Sequence, residues 1–242
     1  MQVGTLYVVG LGPGDPDLMT LKAARIIAAA PVIAFFAGRG KTGRARAIVD
    51  GLIGPAVEEL RLEYPFTTEV AVADPAYAAE LDAFYEVAVA TIAERLEGGR
   101  GVALLCVGDP FFYGSSLAML DRMVGRYPHE VVPGVLGMSG CWARAGLPMV
   151  HGDDVLSVLP GTLEQDALVD RLAACDAAVI MKVGRNLAKI RAALTGAGLL
   201  DRAIYVENGT TACERIMPLA QMPEVAAPYF SLVLVPGRQH RR

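Results

Sequence analysis

The segment Gly10-Leu11-Gly12-Pro13-Gly14-Asp15 directly follows the apolar run Leu6-Tyr7-Val8-Val9. Glycines at the end of a strand let bare backbone approach a small molecule closely. The spacing is G-x-G-P-G rather than G-x-G-x-x-G, and Pro13 has no N–H to offer an anion. A pyrophosphate cradle is therefore disfavoured, and the turn reads as the wall of a site for another compact ligand. Such turns also arise for purely structural reasons, so its meaning depends on its company.

Four further segments supply that company. In Val107-Gly108-Asp109-Pro110-Phe111-Phe112-Tyr113-Gly114-Ser115, Gly108 permits close backbone approach. Asp109 there either meets a ligand ammonium or caps its own turn. Val132-Pro133-Gly134-Val135-Leu136-Gly137 is a third glycine-rich turn at a strand end, followed by Trp142, the chain's one tryptophan. Trp142 serves equally well as core filler or pocket wall. Met181-Lys182-Val183-Gly184-Arg185-Asn186 and Val206-Glu207-Asn208-Gly209-Thr210 complete the set. Lys182 is either a solvated strand-end lysine or an anion contact. Several such turns at one sheet edge make a ligand cleft a better reading than any one alone.

A basic stretch, Gly38-Arg39-Gly40-Lys41-Thr42-Gly43-Arg44-Ala45-Arg46, carries four cations and no acid. It is either a solvated loop or an anion-binding lip at a strand's carboxyl end. The chain as a whole has 242 residues and a net charge of −4, with 53% apolar and 20% charged residues. That excludes global disorder and disfavours a general nucleic-acid binder, which needs a basic face. Cys106, Cys141, Cys175 and Cys213 are widely spaced without a CxxC pair, and are expected to be buried free thiols in a reducing compartment. The three histidines do not cluster, so no metal site is expected. With no signal-like N-terminus and no membrane-length apolar run, the chain is expected to be soluble and cytoplasmic.

The elements that position these turns follow from hydrophobic patterning. Strands are expected near Thr5–Val9, Val32–Phe36, Val57–Leu60, Val102–Val107 and Glu130–Val132. Helices are expected over Leu18–Ala30 (capped by Asp17 or Thr20), Arg44–Leu52, Pro75–Leu96 (opened by Asp74) and Ser116–Arg126. This alternation predicts an α/β domain over 1–133 with a mainly parallel sheet covered on both faces. Beyond a boundary near Pro133-Gly134, helix Met138–Ala145 precedes strands at Val155–Leu159, Ala177–Met181 and Ala203–Val206, with helices Glu164–Ala173 and Leu187–Leu194 among them. Cys213–Met217 and Tyr229–Val235 then follow without a helix between them, which predicts hairpins and a mixed sheet in a second α/β domain over 134–242. Gln239–Arg242 reads as a frayed tail.

The ordered set G-L-G-P-G-D, G-D-P-F-F-Y-G-S, P-G-V, G-C-W-A-R-A-G-L-P and V-E-N-G-T resembles the tetrapyrrole methylase family over about residues 4–237. These are S-adenosylmethionine-dependent enzymes of cobalamin and sirohaem biosynthesis. Within the family, Tyr64-Pro65-Phe66-Thr67-Thr68, His151-Gly152-Asp153-Asp154 and Met181–Asn186 resemble the branch acting on a meso carbon of an early corrin precursor. The resemblance implies two α/β domains, a cofactor cleft between them and a homodimer. It implies S-adenosylmethionine contacts at Pro13, Val107, Gly108, Asp109, Phe112, Leu136 and Gly137, then at Lys182 and Gly209. Leu136-Gly137 stands where relatives often have Thr-Ala or Thr-Ser, so any hydroxyl contact there falls to backbone. A tetrapyrrole substrate rich in carboxylates directs attention to Arg39, Lys41, Arg44, Arg46, Arg144 and Arg185. No nucleic-acid or membrane partner is implied.

Methyl transfer from a sulfonium depends mainly on holding two reactants in line, and a proton must then leave the methylated carbon. Some relatives place an aspartate after the second strand for proton transfer, where this chain has Phe35-Phe36. Asp109, Tyr113 and Glu207 remain as catalytic candidates. A nucleotide-binding oxidoreductase is disfavoured by the missing G-x-G-x-x-G, and a non-catalytic binding module by five strand-end turns in one chain.

Overall fold

Central strands buried at nearly every position set the architecture of the first half. The computed structural model describes residues 2–65, 75–223 and 225–237. The chain divides into two compact units, Met1–Gly137 and Met138–Arg242, at a point a few residues past the Pro133-Gly134 turn. The first unit holds β1 (Leu6–Gly10), β2 (Val32–Gly38), β3 (Glu58–Tyr64), β4 (Val102–Cys106) and β5 (His129–Val132). Its helices are α1 (Leu21–Ala29), α2 (Arg44–Ile48), α3 (Pro75–Glu97) and α4 (Ser116–Met123). The strands form one parallel sheet in the order β3-β2-β4-β1-β5.

Residues of alternating parity leave opposite faces of this sheet. Leu6, Val8, Val32, Ala34, Val102 and Leu104 pack with Val89, Ile92 and Leu96 of α3 and Met119 and Met123 of α4. Val9, Ile33, Phe35, Ala103 and Leu105 pack on the other face with Ala23 and Ile27 of α1 and Ala45 and Ile48 of α2. Both faces are therefore covered, as a parallel sheet requires.

The second unit contains most of α5 (Gly137–Ala145), then β6 (Leu156–Pro160), α6 (Gln165–Ala173), β7 (Ala177–Met181), α7 (Leu187–Gly196), β8 (Ile204–Glu207), β9 (Arg215–Pro218) and β10 (Ser231–Val235). The sheet order is β6-β7-β10-β8-β9, with β6 and β7 parallel and every pair involving β10 or β9 antiparallel. Leu168 and Leu172 of α6 and Ile190 and Leu194 of α7 pack with Ile180, Tyr205 and Val233 of the sheet.

Several local expectations change. The first helix starts at Leu21, not Leu18. Asp15 caps a separate 3-10 turn at Pro16–Leu18, and the Thr20 hydroxyl accepts from Ala23 N at 3.2 Å. The fourth helix stops at Met123 because Gly125 takes a left-handed conformation (φ 80°) and reverses the chain. The hairpin in the second sheet joins β8 to β9. The last strand, β10, does not pair with β9 but inserts between β7 and β8. Cys106 and Cys141 are buried, but Cys175 is half-buried and Cys213 is exposed, since it lies in the polar turn before β9; all four are free. Asp74, Phe66-Thr67-Thr68 and Gln239–Arg242 lie outside the described residues. No described helix is long and apolar enough to cross a membrane.

Candidate active site

All five strands of the first sheet are parallel, so the loops that leave them share one edge. From β1 the chain turns to α1 on one face, while from the neighbouring β4 it turns to α4 on the other. The crevice where neighbouring chains depart to opposite faces is where open α/β sheets bind ligands. The loops that meet there are the Gly10–Thr20 turn and the Val107–Ser115 segment.

These loops touch through backbone. Gly108 N donates to Gly12 O at 2.7 Å and Gly12 N to Gly108 O at 3.3 Å, closing a short antiparallel bridge. Both glycines are left-handed (φ 81° and 77°). Leu11 N donates to Cys106 O at 2.8 Å. The amides of Leu11 and Gly12 are thus committed and Pro13 has none, which removes the donors a phosphate cradle would use. The third turn closes on the first two. A Cβ at Gly10 would lie 2.6 Å from Gly134 N and 2.8 Å from Gly108 O, so these glycines permit a backbone approach that no side chain allows.

Asp109 joins the loops. Its Oδ1 accepts from Phe111 N at 2.9 Å and its Oδ2 from Gly134 N at 3.0 Å. Of the two roles open to Asp109, the turn cap is therefore realised, and it extends to the loop after β5. Val107 is half-buried at the end of β4, and Phe112 stacks edge-on against exposed Tyr113 at 5.0 Å. Leu136 and Gly137 lead into α5, where a Cβ on Gly137 would meet nothing within 4 Å. Cys106 lies beneath this loop, hydrogen-bonded by Ser116, and burial pushes its thiol pKa up.

The basic stretch occupies the same edge, after β2. Arg61 of β3 fastens it, donating to Gly38 O at 3.3 Å and Lys41 O at 2.8 Å. Arg39 and Lys41 are exposed, and among the described residues neither side chain forms an ion pair; Arg44 is half-buried at the start of α2. Arg46 differs. It pairs with Glu59 and Asp50, each at 2.8 Å, which holds its pKa above the ordinary value and gives it a structural task. Phe36, at the position of the missing aspartate, stacks on Tyr64 at 5.2 Å.

In the second sheet β6, β7 and β8 run parallel to one another, because β10 is antiparallel to both β7 and β8. Their carboxyl ends share an edge, and there lie Lys182 with exposed Arg185, and Glu207 with Gly209. The backbone at this edge is unusual. Lys182 (φ 56°), Asn208 (φ 50°) and Thr210 (φ 66°) are left-handed without being glycine, and Tyr113 (φ 55°) in the first sheet's loop is the remaining case among the described residues. Such conformations concentrate where surrounding structure holds a site in shape. Tyr205 OH donates to Glu207 at 2.9 Å, and burial followed by this carboxylate pushes the Tyr205 pKa up to about 12.

Arg144 lies at the end of α5, paired with Glu214, a residue that carries no cue in the sequence. Among the described residues no three His, Cys, Asp or Glu side chains gather as a metal site. The concave surfaces at Glu58–Arg95–Arg100 and Gln2–Thr5 lie at the opposite, amino-terminal edge of the first sheet, away from these loops.

Residues 5–223 match the model of the Tetrapyrrole (Corrin/Porphyrin) Methylases. The chain belongs to this family. The methylase is 52% identical over 239 residues to a precorrin-2 C(20)-methyltransferase from Sinorhizobium, covering 99% of this chain and 98% of that one. It is 30% identical to the cobalt-precorrin-2 C(20)-methyltransferase of Salmonella typhimurium, covering 96% of each. Its fold matches that of a uroporphyrin-III C-methyl transferase from Thermus thermophilus complexed with S-adenyl homocysteine, with a TM-score of 0.66 and 24% identity over 96% of this chain and 92% of that one.

Proposed function

We propose that this methylase transfers a methyl group from S-adenosylmethionine to the C20 meso carbon of precorrin-2, giving precorrin-3A in cobalamin biosynthesis. The observation that carries the reading is the 52% identity to a precorrin-2 C(20)-methyltransferase along nearly the full length of both chains. A homodimer in the cytoplasm is part of the same proposal.

The residues at the strand ends fit the methyl donor. A ligand without phosphate groups suits a turn whose Leu11 and Gly12 amides are committed and whose Pro13 lacks an N–H. Open room lies beside Gly137, where added bulk would meet nothing. Pro13, Val107, Gly108, Asp109, Phe112, Leu136, Gly137, Lys182 and Gly209 would hold it. The donor supplies a methyl carbon on a positively charged sulfur, which the electron-rich C20 carbon takes before losing its own proton. Alignment of the two reactants is the protein's main contribution, about 7–11 kcal/mol in favourable cases.

Asp109 serves this alignment by fixing the loops after β4 and β5 relative to each other. Asp109, Tyr113 and Glu207 are the candidates to take up or relay the proton, with solvent, since the hydrogen bonds that Asp109 and Glu207 accept leave lone pairs on each carboxylate. Exposed Arg39, Lys41 and Arg185 with half-buried Arg44 supply positive charge for the substrate's carboxylates. The second reading, a cobalt-bearing substrate, draws on the 30% identity to the cobalt-precorrin-2 enzyme. Turnover of metal-free and cobalt-loaded precorrin-2 under identical conditions separates the two. Faster turnover of the metal-free substrate is expected, and preference for the cobalt form would overturn the assignment.

A further inference from the structure

We infer that Glu214 and Arg144 form a positioning clamp for the Asn208-Gly209-Thr210 turn, and that Arg144 therefore acts on this turn rather than on substrate carboxylates. The inference rests on the reading above in one respect, that Gly209 contacts the cofactor.

Arg144 Nε reaches both Glu214 carboxylate oxygens at 2.9 and 3.0 Å, and a terminal nitrogen reaches Oε1 at 2.8 Å. The same carboxylate accepts from Thr210 N at 2.6 Å. The Glu214 side chain is only 12% exposed, against 60% for Arg144. A carboxylate withdrawn this far from water requires partners, and it has both a fork-shaped cation and a backbone amide.

That amide belongs to the strained part of the chain. Thr210 is β-branched and left-handed, conditions that conflict unless neighbouring contacts enforce them. Gly209 between the two left-handed residues is packed on α5, since a Cβ there would lie 2.5 Å from Cys141 Sγ. Cys141 and Arg144 are three residues apart and so share one face of α5. The helix therefore holds the turn at two points, directly under Gly209 and through Glu214 at Thr210. Thr211 completes the fastening, with its hydroxyl donating to Asn208 O at 2.7 Å. Glu214 adds a hydrogen-bonded link between this self-bonded turn and the helix.

The test uses the full-length protein with Glu214→Ala, Glu214→Gln, Arg144→Ala and the double alanine variant. Amide hydrogen exchange over residues 208–214 without ligand reads the clamp directly. Calorimetric binding of S-adenosylhomocysteine and the KM for each substrate read its consequence. Exchange is expected to rise in Glu214→Ala and to return towards the wild-type level in Glu214→Gln, which keeps an oxygen for Thr210 N–H. Glu214→Ala is expected to weaken S-adenosylhomocysteine by about tenfold, the scale of one lost hydrogen bond to a charged group, with the tetrapyrrole KM little changed. The double variant should be no worse than Glu214→Ala alone, because Arg144 acts on the turn only through Glu214.

Wild-type exchange and affinity in Glu214→Ala would overturn the clamp. So would a raised tetrapyrrole KM in Arg144→Ala with unchanged S-adenosylhomocysteine affinity. If the wild-type protein does not bind S-adenosylhomocysteine, the cofactor reading fails, and the exchange result still decides whether the clamp exists.

Discussion

Asp109→Asn keeps the size of the side chain and removes its charge, so it separates a residue that builds the loops from one that only meets a ligand. In the folded protein Oδ1 receives Phe111 N–H and Oδ2 receives Gly134 N–H, at 2.9 and 3.0 Å. An asparagine has one oxygen and one NH2 at these places. Whichever way it turns, one backbone N–H faces another donor, and the remaining bond loses its charge assistance. Losing one hydrogen bond to a charged acceptor costs about 1.5–3 kcal/mol. For a chain of this size each kcal/mol moves the melting temperature by roughly 2–4 °C, so a fall on the order of 5 °C is expected. The assay is thermal unfolding followed by circular dichroism at pH 7 without any ligand. S-adenosylhomocysteine affinity is expected to fall as well, because the β4 and β5 loops are no longer tied. A melting temperature within about 1 °C of wild type, with affinity alone reduced, would refute the reasoning and make Asp109 a direct ligand partner.

Gly137→Ala adds a Cβ at the first position of α5 where nothing lies within 4 Å, so it should stabilise the protein by about 0.4–1 kcal/mol in urea unfolding. Of the four thiols, exposed Cys213 should react rapidly with a thiol reagent at pH 8. Cys106 and Cys141 should react only on denaturation; burial, aided by nearby Glu214, pushes the Cys141 pKa up to about 12. Glu58 is held below the usual carboxylate range by Arg100 and then Arg95, so its contribution is present above the ordinary glutamate pKa and is lost as pH falls through the folded value. Glu58→Gln should therefore lower stability at neutral pH and flatten its decline in acid, as read by urea midpoints across pH. Replacing Arg39 and Lys41 by alanine should raise the substrate KM at low salt with a smaller effect at high salt, and an unchanged KM at low salt would refute their role.

Much of the first unit was legible because its information is local. Apolar runs ending in glycine marked β1, β4 and β5, and the periodic stretches between them marked helices on both faces. Their convergence at one edge then follows from parallel pairing. What stayed hidden depends on distant partners. Arg46 looks like one more cation in a basic stretch until folding brings Glu59 beside it. Asp109 offered two roles in the sequence, and only the approach of Gly134 shows which one the loops use. The insertion of β10 between β7 and β8 was invisible because apolar length marks a strand without naming its neighbours. Glu214 had no signal at all, since neither spacing nor periodicity distinguishes an acid in a polar turn from a solvated one. The left-handed Lys182 and Thr210 could not be foreseen, because their side chains do not favour that backbone and only the surrounding packing imposes it, whereas Asn208 is of a type that tolerates it.

The central claim is that this methylase places a methyl group on the C20 meso carbon of precorrin-2. It is tested most directly by incubating the protein with metal-free precorrin-2 and S-adenosylmethionine carrying a 13C-labelled methyl group, then locating the label by NMR. The account predicts a single new labelled methyl on the meso carbon C20. Label on a pyrrole carbon, or no labelled product while S-adenosylhomocysteine binds normally, would contradict it.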